Sequence, residues 1–284
     1  MPRAVQILKE SVWHWDTFSI DGLGDRESAI LTELVCNSKK LNIVDSVLWF
    51  HSYLPLDGDW KSYLANKTAK FRKTMRYTDN YLSRQGKISW TMVKKGKEVD
   101  EALQVFFDID RQSWKADGGE VLDEEPTLMS YYQQLMREFV KIEGCGIFLL
   151  LLDKKPIAGV ICLLMRNTLY ALKTSFNDNY TQFSPGTVLF HHLIEESYKA
   201  GYDAIDFLGK IPFSERWTEQ SQSFRRLLIT NQNIYSRFLR EIKNRKTSAS
   251  PPGPTLFPDP EKQTLLNSPV EPSSKKELYT GIQR

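Results

Sequence analysis

The chain has 284 residues, with 38 Lys and Arg against 35 Asp and Glu, a formal net charge of +3. That near balance argues against a dedicated DNA binder, and 41% hydrophobic with 12% aromatic residues excludes a wholly disordered chain. Cys36, Cys145 and Cys162 are widely spaced with no CxxC, and the longest apolar run, Ile147 to Leu152, is too short for a bilayer, so no disulfide framework, zinc motif or transmembrane segment is expected.

The first residues, MPRAVQILKESVWHW, lack the apolar stretch of a signal peptide, and a reducing cytoplasm is the expected location. Asp16 to Asp21 alternates as a strand. Ala29, Ile30, Leu34 and Val35 form a helical stripe after the cap Asp25, and Asn42 to Tyr53 is β-rich again. Strand, helix and strand make half a domain, so residues 1–58 read as a fragment. A basic helix is predicted from the N-cap Asp59 to the stop at Gly86, carrying Lys67, Lys70, Arg72, Lys73, Arg76 and Arg84. Such a face is either simply solvated or turned towards a phosphate-bearing ligand.

Lys87 to Val93 alternates as a strand, and helices are predicted over Val99 to Trp114 and Thr127 to Ile142. Three strands follow, 146–152, 156–165 and 168–176, separated only by Asp153-Lys154-Lys155 and Arg166-Asn167. Links that short force antiparallel neighbours. A polar loop, Asn177 to Ser184, leads into a helix with Ser184 as its cap and Pro185 in its first turn, ending at Gly201. Ala204 to Leu208 reads as a short buried strand, Ser223 to Thr230 as another, and Ile234 to Ile242 as a last helix. From Thr247 onward the Pro, Ser and Lys content predicts a disordered tail, 247–284. A helix between two adjacent strands favours a parallel pair. The expected fold is therefore a mixed α/β sheet, with an antiparallel meander feeding one parallel crossover.

This order resembles the GNAT (N-acetyltransferase) fold. The segments KFRKTMRYTDNYLSRQGKISW and FSPGTVLFHHLIEESYKAGYDAIDFLGKIPFSERW look like blocks of its BioF2-like, cellulose-biosynthesis-associated branch, which is related to Fem-type transferases. The resemblance runs from about Trp60 to Ile229. It implies a GNAT-like acyltransferase domain over 59–246, preceded by the remaining end of a first GNAT-like half. It also implies acyl-CoA, acetyl-CoA first, as co-substrate, and a small amine acceptor such as an amino sugar of polysaccharide or envelope synthesis. The usual Arg/Gln-x-x-Gly-x-Gly loop is absent. Ser184-Pro185-Gly186-Thr187 stands in its place, where a helix N-terminus with a close backbone approach at Gly186 suits a pyrophosphate. A backbone N–H near Thr174 or Ser175 is the expected oxyanion donor.

Three side chains are candidates for catalysis. Asp206, in the apolar strand AIDFLG, is either a base for the amine or a structural partner of a cation such as Arg216. Lys173, in YALKTSF, either anchors the acceptor or is an exposed strand residue. Tyr180, like Tyr170, offers a phenol to protonate a leaving thiolate. His191 and His192 are adjacent on a helix and point in different directions, with no HxxxH spacing, so no metal is expected. Two other readings remain: a Fem-type transferase using aminoacyl-tRNA, and a non-catalytic GNAT-like binding protein.

Overall fold

The computed structural model describes residues 16–36, 41–113 and 126–231. In chain order its elements are β1 (Thr17–Leu23), α1 (Asp25–Cys36), β2 (Leu41–Pro55), α2 (Trp60–Asn66), α3 (Ala69–Ser83), β3 (Ile88–Val93), α4 (Glu98–Arg111), α5 (Pro126–Val140), β4 (Cys145–Leu152), β5 (Lys155–Met165), β6 (Thr168–Phe176), a 3-10 helix (Asp178–Phe183), α6 (Pro185–Lys199), β7 (Ala204–Asp206), α7 (Pro212–Glu215) and β8 (Ser221–Asn231). Trp114, the expected helix at Ile234 to Ile242 and the tail lie outside the described residues.

The chain divides into two units, with boundaries inside β2 and β8 and at either end of the segment Ile211–Trp217, which belongs to the first. In the first unit, β1 pairs antiparallel with β8, from Thr17 opposite Thr230 to Leu23 opposite Arg225. Leu31 and Val35 of α1 close a small core with Leu41, Leu227 and Ile229. Charges tie its exposed rim. Arg225 Nε donates to Asp45 at 2.8 Å, and Arg226 Nε donates to Asp21 at 2.7 Å. The hydrogen bond from Arg226 holds the Asp21 carboxyl down to about 2.

The second unit, Trp49–Lys210 with Thr218–Phe224, holds the expected meander. Its strands run in the order β2-β7-β6-β5-β4-β3, and all pair antiparallel except β6 with β7. Apolar runs build the meander, because a strand covered on both faces needs apolar residues at every position. Ile147, Phe148 and Leu150 are each fully buried, as are Ile157, Val160 and Ile161. On one face Phe106, Phe107 and Met136 of α4 and α5 pack onto Ile147, Leu149 and Ile161. Burial pushes the Cys145 thiol up to about 11 and raises Cys162 further, so both are core residues rather than nucleophiles.

Both meander hairpins turn through two residues with positive φ: Asp153 and Lys154 in one, Arg166 and Asn167 in the other. These are turns that glycine fills without strain. Lys154 is exposed and has φ 68°. Lys154→Gly is therefore expected to raise stability by about 0.5–1 kcal/mol, read as a higher urea midpoint with an unchanged m-value.

Two local expectations differ from the structure. The basic segment is two helices, because Thr68 caps α3 by accepting the Phe71 N–H at 3.1 Å while Lys67 is extended. Arg72 is used in that corner: its guanidinium donates to the carbonyls of Ala65 at 3.0 Å and of Lys67, closing the end of α2. It caps a helix rather than facing a ligand. Ser184 does not cap α6 with its side chain. It lies in the left-handed region at φ 53°, where the preceding 3-10 helix ends, and only its carbonyl accepts the Thr187 N–H at 2.9 Å. The expected loop at Asn177 to Ser184 is mostly that 3-10 helix, and α7 was not anticipated.

Candidate active site

The strands β6 and β7 share only three paired positions, ending at Tyr170 opposite Asp206. Beyond that pair the chain after β7 stays with β2. The Phe207 N–H donates to Ser52 O at 3.1 Å, and the Ser52 N–H donates to Gly209 O at 3.1 Å. Meanwhile β6 continues to Phe176 along β5. The two strands therefore part, and the parting is where the candidate residues gather.

Their faces follow from register, since directly paired residues share a side of the sheet. Gly159 leaves room for Phe106 of α4, and it pairs with Ser175. Ile161 packs in the α4 cluster and pairs with Lys173. The register shifts between Ile161 and Cys162, so Leu172 is the extra residue of a bulge in β6. Tyr170 and Leu172 pack against the same cluster, and Tyr170 pairs with Asp206, which pairs with Tyr53. His51 is two residues before Tyr53 in β2. So Ser175, Lys173, Tyr170, Asp206, Tyr53 and His51 share the α4 side. Thr174 and Phe176 alternate to the opposite side, where Phe176 meets Gly186 of α6. The sequence-derived set is thus split across the sheet, with the strand parting between the two groups.

The most ordered part is a pair that sequence reasoning missed. His51 Nδ1 lies 3.1 Å from Asp206 Oδ1 and 3.3 Å from Oδ2. Asp206 is 2% exposed, and its Oδ1 also accepts the Leu208 N–H at 2.7 Å, which holds Leu208 at φ 54°. A bulky residue in that region is a strained position, kept because the carboxylate over-determines it. The side-chain partner of Asp206 is therefore His51, where the sequence suggested a cation such as Arg216. The His51 ring lies against Phe224, with centroids 4.2 Å apart. A carboxylate only accepts, so the neutral His51 tautomer that hydrogen-bonds it carries its proton on Nδ1 and a lone pair on Nε2. Burial, and secondly Asp206, raise the Tyr170 pKa, which keeps this phenol protonated.

Other expected residues are placed as follows. Lys173 is half-buried on the dyad's side of the sheet. Ser175 is 2% exposed, and its Oγ makes no hydrogen bond. Tyr180 is on the 3-10 helix, with Lys155 Nζ 5.9 Å from its ring centre; among the described residues no contact joins it to Asp206. Pro185, Gly186 and Thr187 open α6 and are buried. A Cβ at Gly186 would meet only the Phe176 ring, at 3.6 Å, and its φ is ordinary. Neither packing nor backbone conformation requires glycine there.

Residues 69–219 match the family described as acetyltransferase (GNAT) domain. The chain belongs to that family. GNAT domains are acyl-transferring enzymes, and the solved structures agree on the fold. FemX superposes with a TM-score of 0.58 at 11% identity, covering 85% of this chain and 79% of FemX. A conserved protein from Bacteroides thetaiotaomicron gives 0.56 at 12% identity, with 81% and 75% covered. The C-terminal domain of a protein assigned as a lysylphosphatidylglycerol synthetase from Agrobacterium fabrum gives 0.52 at 13%, with 86% and 76% covered. No curated protein sequence matches this GNAT chain. Among the described residues, no helix of it is long and apolar enough to cross a membrane.

Proposed function

We propose that this GNAT protein transfers an acyl group from acyl-CoA to the amine of a small acceptor. The observation that carries the reading is the parting of β6 and β7, with the His51–Asp206 pair on one side and the Pro185–Gly186 helix start on the other. The parting joins the two faces of the sheet, so donor and acceptor can meet from opposite sides. The α6 start offers an N-terminal positive partial charge and an open Gly186 for the donor's phosphates. Thr174 lies on that same side.

On the other face, His51 Nε2 accepts a proton from the attacking amine, with Asp206 holding the ring and stabilising the imidazolium. Asp206 is then a positioning residue rather than the base itself. The amine nitrogen bonds to the thioester carbonyl carbon, and the carbon–sulfur bond breaks. Backbone N–H groups of β6 past Tyr170, where β7 no longer pairs, receive the developing oxyanion. Tyr170 replaces Tyr180 as the phenol placed to protonate the leaving thiolate. Lys173 attracts an anionic group on the acceptor, and an amino sugar of envelope or polysaccharide synthesis is the class that the family resemblance implies. In this reading residues 1–58 are the end of a first GNAT-like half, 59–246 the catalytic domain and 247–284 a tail, in a cytoplasmic enzyme.

One feature favours an aminoacyl donor as the second reading. Pro185 has no N–H, and the Thr187 and Val188 N–H groups both bond Ser184 O, so the first turn of α6 offers a phosphate little beyond Gly186. Calorimetric titration with acetyl-CoA and longer acyl-CoAs separates the two. The acyl-CoA reading expects saturable binding that Gly186→Glu abolishes and Gly186→Ala weakens, while Gly186→Ala, whose Cβ fits at 3.6 Å, keeps or raises the thermal midpoint. Absence of heat with every acyl-CoA would move the assignment to an aminoacyl-tRNA donor or to a non-catalytic binding role.

A further inference from the structure

Among the described residues, a cluster of three metal-binding side chains outside the acyl-transfer site joins α3 to α6. Asp79 is the one acidic residue between Lys67 and Arg84. His191 Nδ1 lies 2.6 Å from its Oδ2, and His192 Nε2 lies 3.6 Å from its Oδ1. One ligand atom from each residue can be chosen so that all three lie within 4.8 Å of one another. The two histidines leave α6 in different directions, as the sequence implied, but this does not keep them from one shared partner. Neighbours on a helix do leave it about 100° apart, but Asp79 of the packed α3 stands between their rings and both reach it.

These atoms are not settled by hydrogen bonds. Asp79 Oδ1 and His191 Nδ1 are buried, and neither has a hydrogen-bond partner; the 2.6 Å approach is close but not aligned as an N–H···O bond. Buried polar atoms usually have partners, so a cluster without them calls for an explanation such as an ion. The rings are also held in place. Trp90 stacks on His192 at 3.7 Å between centroids and 12° between planes, and Trp60 lies 5.3 Å from His191. On the far side of His192, Glu195 Oε2 is 3.8 Å from Nδ1.

We propose that Asp79, His191 and His192 bind one divalent transition-metal cation of the zinc class, which clips α3 to α6. Two imidazoles and one carboxylate are a borderline-soft donor set that suits zinc and disfavours calcium or magnesium. Ligands at about 2.0–2.2 Å from a tetrahedral ion stand roughly 3.4 Å apart. His192 Nε2 already stands at about that spacing from Asp79 Oδ1, and His191 Nδ1, which meets the other oxygen Oδ2 at 2.6 Å, must move away by somewhat under 1 Å. Three protein ligands leave a fourth position for water or another donor. The proposal concerns metal and helix packing, and it stands whether the acyl donor is CoA or an aminoacyl ester.

The test uses the untagged full chain, stripped with chelator and titrated with Zn2+ while binding and thermal midpoint are followed. The expected result is one equivalent bound and a raised midpoint. Asp79→Asn and His191→Ala should weaken binding by more than about 10-fold, and His51→Gln should leave it unchanged. Zn-edge X-ray absorption of the wild-type complex should show nitrogen and oxygen ligands near 2.0–2.1 Å, two of them imidazole. That measurement stands even if the variants fold poorly. No stoichiometric binding, binding indifferent to Asp79→Asn and His191→Ala, or a spectrum without two imidazoles would overturn the proposal and leave a dry histidine–aspartate contact between two helices.

Discussion

His51→Gln is expected to lower kcat/KM by about 100- to 10,000-fold, the usual worth of a general base, while leaving the affinity for the acyl donor unchanged. The reason is geometric. His51 is the imidazole at the parting of β6 and β7. Its Nδ1 faces Asp206, leaving Nε2 to take the amine proton. Glutamine preserves much of the volume beside Phe224 but cannot accept a proton at neutral pH. Asp206→Asn should cost a comparable factor in kcat with little change in KM, because an amide N–H turned towards Nδ1 moves the imidazole proton to Nε2. The same substitution disturbs the acceptor of the Leu208 N–H, so about 1–3 kcal/mol of stability is also at risk. Steady-state kinetics with donor titration checks both. Unchanged turnover in His51→Gln would remove His51 from the mechanism and return the base role to Asp206.

Phe106→Ala is expected to cost about 3–5 kcal/mol of stability, read from urea unfolding with m unchanged. Phe106 is fully buried, and it joins α4 to the sheet at Gly159, whose missing side chain makes the room. A Cβ there would lie 3.1 Å from the Phe106 ring and 3.0 Å from Leu149. Gly159→Ala alone should therefore destabilise by about 1–3 kcal/mol. The double variant should cost less than the sum, because the alanine occupies part of the space that the phenyl ring leaves. Gly159 pairs with Ser175 of β6, so this packing supports the strand that carries the candidate site residues. Strict additivity of the two losses would mean that the two residues do not share that space.

The meander was legible because β4 and most of β5 are apolar runs and two-residue turns separate its three strands, and only antiparallel pairing joins strands so closely. The α6 start was legible as a helix start, but its cap was not: Ser-Pro reads as a cap in sequence, whereas the 3-10 helix ahead of it throws Ser184 into the left-handed region. His51 carried no spacing signal. It stands in an ordinary strand, and its partner is 155 positions away. The available clue was the two-residue step from His51 to Tyr53, which puts both on one face. The bulge at Leu172 was hidden because YALKTSF alternates acceptably in either register. Asp79 could have been singled out as a lone acid in a basic helix, yet its histidine partners become visible only once α3 packs on α6.

The most direct measurement of the central claim is a crystal structure of the protein soaked with coenzyme A. The account predicts the thiol arm between β6 and β7, with the thiol near Tyr170 and the pyrophosphate against Gly186 at the start of α6. Coenzyme A bound elsewhere, or absent while the crystals hold it at high concentration, would contradict the assignment of this parting as an acyl-CoA site.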